Sequence, residues 1–117
     1  MKFIHLLSKE ARLKIIELAL RNRSARELAD ELGISPAAIS KYVNGQMHPS
    51  DETMHRLFHI LNDDELEEAY TIALEDLVEG IEELIQYYKR NTNSNSKLFN
   101  TTLRALYDYI KEQLNYT

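Results

Sequence analysis

Apolar residues recur along this chain at steps of three and four, with polar or charged residues between them, which is the period of helices buried on one face. Over residues 9–22, KEARLKIIELALRN, Leu13, Ile16 and Leu20 interleave with Ile15 and Leu18 behind Ser8, a side chain suited to cap a helix N-terminus. Ser24 opens the next segment with Glu27 three residues on, so each side chain can satisfy the other's backbone N–H. Leu28 and Leu32 turn that helix inward, and Gly33 ends it where a left-handed residue is needed. Ser35 caps a third helix, PAAISKYVN, with Pro36 at its first position, where the missing N–H costs nothing. Gly45 stops it. The loop Gln46-Met47-His48-Pro49 then leads to a fourth helix, capped by Ser50 or Asp51, with Met54, Leu57, Phe58 and Leu61 on one face.

The second half has a different pattern. From about Asp64 to Arg90, Tyr70, Leu74, Leu77, Ile81, Leu84 and Tyr88 step 4-3-4-3-4, close to a coiled-coil repeat. Gly80 inside that helix costs about 1 kcal/mol relative to Ala. Asn91 to Ser96 is polar and of low complexity and reads as a loop. A last helix, about Lys97 to Asn115, places Phe99, Leu103, Leu106, Ile110 and Leu114 on a second stripe. No strand pattern survives. The expected fold is therefore all-α: a domain of about four helices over residues 1–62, then an acidic region over 63–117 in which a long helix and a C-terminal helix form a hairpin.

Composition narrows the function classes. A length of 117 residues is about one domain's worth, and the few Gly and Pro argue against a turn-rich β fold. The absence of Cys excludes disulfides, thiolate metal sites and a Cys nucleophile. The N-terminal stretch lacks a signal peptide's apolar core, and no run of apolar residues is long enough to span a bilayer, so a soluble cytoplasmic chain is expected. The net charge of −5 hides an asymmetry. Residues 1–62 hold nine Lys/Arg and seven Asp/Glu, for +2, while residues 63–117 hold five and twelve, for −7. Between Asp63 and Gln86 there are ten acids and no base. Only the first half could face an anion.

Two capped helices separated by Leu32-Gly33-Ile34-Ser35 form the signature of a helix-turn-helix. Ala29 is small where the helices would cross, and Ile34, Ile39 and Tyr42 fall where the second helix must enter the core. The run ARELADELGISPAAISKYVNG resembles the Xre/Cro-like family of DNA-binding regulators: Leu28, Ala29, Leu32, Gly33, Ile34, Ser35, Ile39, Gly45 and Pro49 match that pattern in type and spacing. The resemblance reaches about Leu61 or Asn62 and covers roughly half the chain. It implies double-stranded DNA as a partner, read by helix 36–44 in the major groove. In that helix Ala38, Ile39, Tyr42 and Val43 are expected inside, and Pro36, Ala37, Ser40, Lys41 and Asn44 outside.

The resemblance places base contacts on the first two turns, hence Ser35, Ala37, Ser40 and Lys41, with Asn44 at the far end beside Gln46 and His48, which could reach flanking bases or backbone. Ala37 suits a thymine methyl, and Lys41 a guanine or a phosphate. Arg21, Arg23 and Arg26 cluster near the start of the preceding helix, where free N–H groups also favour phosphate, and Ser24 is a cap first and a phosphate contact second. The exposed recognition face holds neither Arg nor Gln, which points to modest specificity or to reliance on DNA shape and the loop.

Other chemistry is poorly supported. His55 and His59 lie four apart with Glu52 and His48 near, but without the HExxH order of a zinc hydrolase, so no metal or other cofactor is expected. The acid pairs 63–64, 67–68 and 82–83 are adjacent, so their members diverge on a helix and form no acid/base dyad. No glycine-rich phosphate loop is present, and no enzyme is expected. Two recognition helices reach successive major grooves about 34 Å apart when the protein is a two-fold dimer. The stripe Tyr70, Leu74, Leu77, Ile81, Leu84 and Tyr88, with Leu103, Leu106 and Ile110, suits homodimerisation, with packing within the chain as the alternative. The expected function is a homodimeric transcriptional regulator. The alternatives are an adaptor or antitoxin-like partner whose acidic helices bind another protein, and a non-specific architectural DNA-binding protein.

Overall fold

A computed structural model describes residues 1–93 and 96–115. Among them are seven helices and no strand: α1 Lys2–Leu6, α2 Lys9–Leu20, α3 Ala25–Leu32, α4 Pro36–Val43, α5 Asp51–Ile60, α6 Asp63–Asn91 and α7 Lys97–Asn115. The fold is all-α, as expected. Of the loop expected over 91–96, Asn91 belongs to α6, and Ser94 and Asn95 lie outside the described residues.

Short-range chemistry sets the helix ends. Ser8, Ser24, Ser35 and Ser50 each accept a hydrogen bond from the backbone N–H three residues on, closing the first turns of α2, α3, α4 and α5. Ser50, not Asp51, is the cap of α5. Asn62 does the same for α6, and the Glu65 carboxylate returns the bond to the Asn62 N–H, each at 2.9 Å. Gly33 and Gly45 end α3 and α4 with φ of 69° and 73°, a backbone that side chains with a Cβ resist.

The sequence pattern missed α1. KFIHL spans little more than one turn and has no side-chain cap, so no periodicity marks it. Tertiary contacts hold it. Ile4 is fully buried, and Phe3 packs edge-on against Phe58 at 5.6 Å between ring centroids. The N-terminal region thus has this short helix in addition to the four expected before α6.

One compact unit spans Met1–Ile81 and a second spans Glu82–Thr117. In the first, Ile15, Ile16 and Leu18 of α2, Leu28 and Leu32 of α3, Ile39 of α4, and Met54 and Leu57 of α5 are almost completely buried together. Ala29 is fully buried where α3 and α4 pack, the close approach its small side chain allows. The guanidinium of Arg12 is buried too, donating to the carbonyls of Leu7, Pro49 and Ile4 and to Asp51. It thereby ties the end of α1 to the start of α5, with each of its three nitrogens hydrogen-bonded.

The expected boundary at residue 62 falls inside the first unit, because the early turns of α6 pack on it. They do so through Glu65, Ala69 and Ala73, a four-residue step distinct from the Tyr70–Tyr88 stripe. Further along, Asp76 accepts from the N–H and hydroxyl of Ser8, its Oδ2 at 3.0 Å from the N–H. On the stripe, Leu74 and Leu84 are about 60% exposed, and Tyr70 is half exposed beside Phe3 and Phe58.

Candidate nucleic-acid interface

α3 and α4 form two sides of a corner with Gly33 at its turn. The Ile34 N–H returns to the Ala29 carbonyl at 3.0 Å, and Arg56 of α5 donates to the Leu32 carbonyl at 3.1 Å, so the end of α3 is satisfied from both sides. Ile39 and Tyr42 anchor α4 in the core. Its other face is open: Ser35, Pro36, Ala37, Ser40, Lys41 and Asn44 are all exposed. Ala38 is half-buried. Val43, expected inside, is instead 43% exposed, because Ile39 and Tyr42 supply the buried anchors of α4 and Val43 is its last residue.

The exposed face is chemically free. The Ser35 hydroxyl accepts from the Ala38 N–H at 3.2 Å and keeps its own proton to donate outward. Ser40 and Lys41 contribute only backbone carbonyls, to Asn44 and to Gln46 and Met47, so the Lys41 ammonium has no ion-pair partner among the described residues. The side chains of Gln46 and His48 are exposed beyond Gly45.

The three arginines fare differently. Arg26 is exposed on the first turn of α3 and makes no ion pair among the described residues. Arg21 is exposed but forks onto Glu68 of α6 at 3.0 and 3.4 Å. Arg23 is largely buried, donating to both oxygens of Glu65 and to the Ala19 carbonyl and pairing with Glu31. Those bonds hold its proton more tightly than usual, chiefly the hydrogen bonds to Glu65. Arg23 is thus committed to the fold. Three-residue proximity in sequence hid this, because the acids that claim Arg21 and Arg23 lie on α6, forty residues away.

Ser24 closes the predicted capping box: its Oγ accepts from the Glu27 N–H at 3.1 Å, and Glu27 accepts from the Ser24 N–H at 2.9 Å. The second bond holds the Glu27 carboxyl below its usual range. Among the histidines, His59 Nδ1 contacts the His55 carbonyl at 2.7 Å, and the described residues contain no group of three side chains placed to hold a metal ion.

Against known proteins, residues 14–62 match the family model described as helix-turn-helix. These residues are a helix-turn-helix domain of the Xre/Cro-like kind. The domain therefore supports a DNA-binding regulator as the general role. No curated protein and no solved structure matches the chain. The match takes in α3, α4 and α5 with their connecting turns and ends just before α6. No described helix is long and apolar enough to cross a membrane.

Proposed function

We propose that the protein is a homodimeric, cytoplasmic transcriptional regulator that reads double-stranded DNA by inserting α4 into the major groove. Ser35, Ala37, Ser40, Lys41 and Asn44 face the bases. Ser24, Arg26, Gln46 and His48 touch phosphate or flanking positions, with Arg21 able to join them by exchanging Glu68 for a phosphate at the surface. Arg23 acts behind this layer by holding the start of α3. Tyr70, Leu74, Leu77, Ile81, Leu84, Tyr88, Leu103, Leu106 and Ile110 carry dimerisation. One observation supports the reading above the others: α4 is anchored by Ile39 and Tyr42 while its opposite face is exposed and presents Ser40, Lys41 and Asn44, with Lys41 in no ion pair among the described residues. A helix that must lie in a groove needs that division.

The exposed cations near this face are few, Lys41 and Arg26, so affinity relies less on phosphate neutralisation than on fit. Selection of bound DNA from a random library at about 150 mM salt, with the purified protein alone, tests the reading. An inverted repeat with half-sites one helical turn apart is expected. Sequence-blind binding that collapses with salt would favour an architectural protein. No binding at all would favour an adaptor or antitoxin-like protein, whose acids between Asp63 and Glu83 would meet a basic protein.

A further inference from the structure

A pocket of about 140 Å³ opens between the start of α2 and the loop that follows α4. Leu13, Tyr42, Met47 and Pro49 give it an apolar lining. Local bonds hold its walls. Ser8 caps the first turn of α2, the Gly45 N–H returns to the Tyr42 carbonyl at 3.1 Å, and the Pro49 carbonyl accepts from Arg12 at 2.9 Å. Met47, on an unbranched and adaptable side chain, is the one soft wall among these. The pocket is thus formed before anything enters it.

Tyr42 gives the pocket its polar group. Only 4% of this residue is exposed, yet its hydroxyl makes no hydrogen bond among the described residues. No side-chain oxygen of the described residues is both sealed from solvent and without a partner, so this hydroxyl opens outward, through the pocket that Tyr42 lines. There it can donate one hydrogen bond and accept another. The packing of α4 uses the ring and leaves the oxygen free.

Size and charge narrow the occupant. An apolar cavity of about 150 Å³ takes one benzene ring, whereas a drug-sized molecule needs about 300 Å³ or more. Lys9, Glu10 and His48 complete the lining, and none of them makes an ion pair among the described residues. The charges of Lys9 and Glu10 offset each other, so neither an anion nor a cation gains much by entering.

We propose that this pocket is a binding site for a neutral, single-ring molecule with one hydroxyl, the phenol class. The ring lies against Leu13, Met47 and Pro49, and its hydroxyl bonds to that of Tyr42. Met47 and His48 belong to the loop that follows α4, so an occupant bears directly on that loop. The site is built from residues 9–49 and stands whether or not the protein dimerises or binds DNA.

Titration of the full chain with phenol, read by NMR on the methyls of its three methionines, tests the site. The Met47 methyl is expected to shift and saturate, with a Kd of about 1 mM or tighter, while those of Met1 and Met54 stay in place. Tyr42→Phe keeps the ring and removes only the free oxygen. It should retain the folded position of the buried Met54 methyl and bind phenol about threefold more weakly or worse. Leu13→Trp, which fills the pocket, should abolish the saturable shift with Met54 again reporting the fold. Benzoate, an anion of similar size, should bind more weakly than phenol. A drift of all three methyls without saturation, undiminished binding by Tyr42→Phe, or saturation that survives in Leu13→Trp overturns the site. Benzoate binding tighter than phenol overturns the neutral class and gives recognition to Lys9.

Discussion

Arg23 and Glu65 form a buried, two-pronged ion pair, Nη1 to Oε2 at 3.0 Å and Nη2 to Oε1 at 3.1 Å. The Glu65 carboxylate also accepts from the Asn22 side chain and from the Asn62 backbone, so its lone pairs are filled where water cannot reach. Arg23 directly precedes Ser24, the cap of α3, and Glu65 sits in the first turn of α6. The pair thereby joins the long helix to the corner that presents α4. Glu65→Ala is expected to destabilise the chain by about 3 kcal/mol, because it removes the two-pronged partner of a largely buried guanidinium and leaves it only Glu31 and the Ala19 carbonyl. Urea denaturation measures this, and a loss under about 1 kcal/mol would remove the pair from any structural role.

The same site predicts an acid dependence. Burial alone would raise the Glu65 carboxyl, but the hydrogen bonds from Arg23, Asn22 and Asn62, with the Arg23 charge, outweigh it and hold the group at about 2 rather than 4.5. A group depressed on folding contributes stability that is complete above its unfolded value and is lost as pH falls through its folded value. The contribution, about 3 kcal/mol, is therefore present at pH 6 and declines between about 4.5 and 2. Melting temperatures at pH 6 and pH 3 check this. The wild type should lose more of its Tm over that interval than Glu65→Gln, which has no carboxylate to protonate, and equal losses would assign the acid sensitivity to other groups.

The sequence carried its local chemistry far better than its long-range chemistry. Ser24 with Glu27, Ser35 with Pro36, and the stops at Gly33 and Gly45 are decided within a few residues, so each helix of the corner was legible from spacing. The open face of α4 was legible for the same reason, apart from Val43, whose exposure depends on how Tyr42 fills the core. What spacing could not show were partners chosen across the chain. Glu68 claims Arg21, Glu65 claims Arg23, and Asp51 with three carbonyls claims Arg12, which no short-range pattern marked. How far α6 packs back on the preceding helices was hidden in the same way. Ala69 and Ala73 lie off the Tyr70–Tyr88 stripe, and both are buried, their small size letting the early turns of α6 lie close to the preceding helices.

Gly33 and Gly45 offer a cleaner test of the corner. A Cβ at Gly33 would meet nothing closer than the Arg56 guanidinium at 3.7 Å, and at Gly45 nothing within 4 Å. Space is therefore not the issue, and the cost of Gly33→Ala or Gly45→Ala is that of a left-handed backbone alone, about 1 kcal/mol each. The two losses should be nearly equal in thermal unfolding. A Gly33→Ala loss well above the Gly45→Ala loss would mean that α5 responds through Arg56.

Lys41 and Arg26 are both exposed cations without ion-pair partners among the described residues, but they stand on different helices and should fail in different ways. Neither is buried, so Lys41→Ala and Arg26→Ala should leave the Tm within about 0.5 kcal/mol equivalent of the wild type. In DNA titrations, Lys41→Ala is expected to weaken the selected site by about 1–3 kcal/mol and to relax preference at one base position. Arg26→Ala should weaken all sequences alike and reduce the slope of log K against log salt by about 1. Fluorescence anisotropy at several salt concentrations, on selected and scrambled duplexes, separates the two. If Lys41→Ala instead lowers binding to both duplexes equally, α4 meets the backbone at that turn, and base reading must pass to Ser35, Ala37, Ser40 and Asn44.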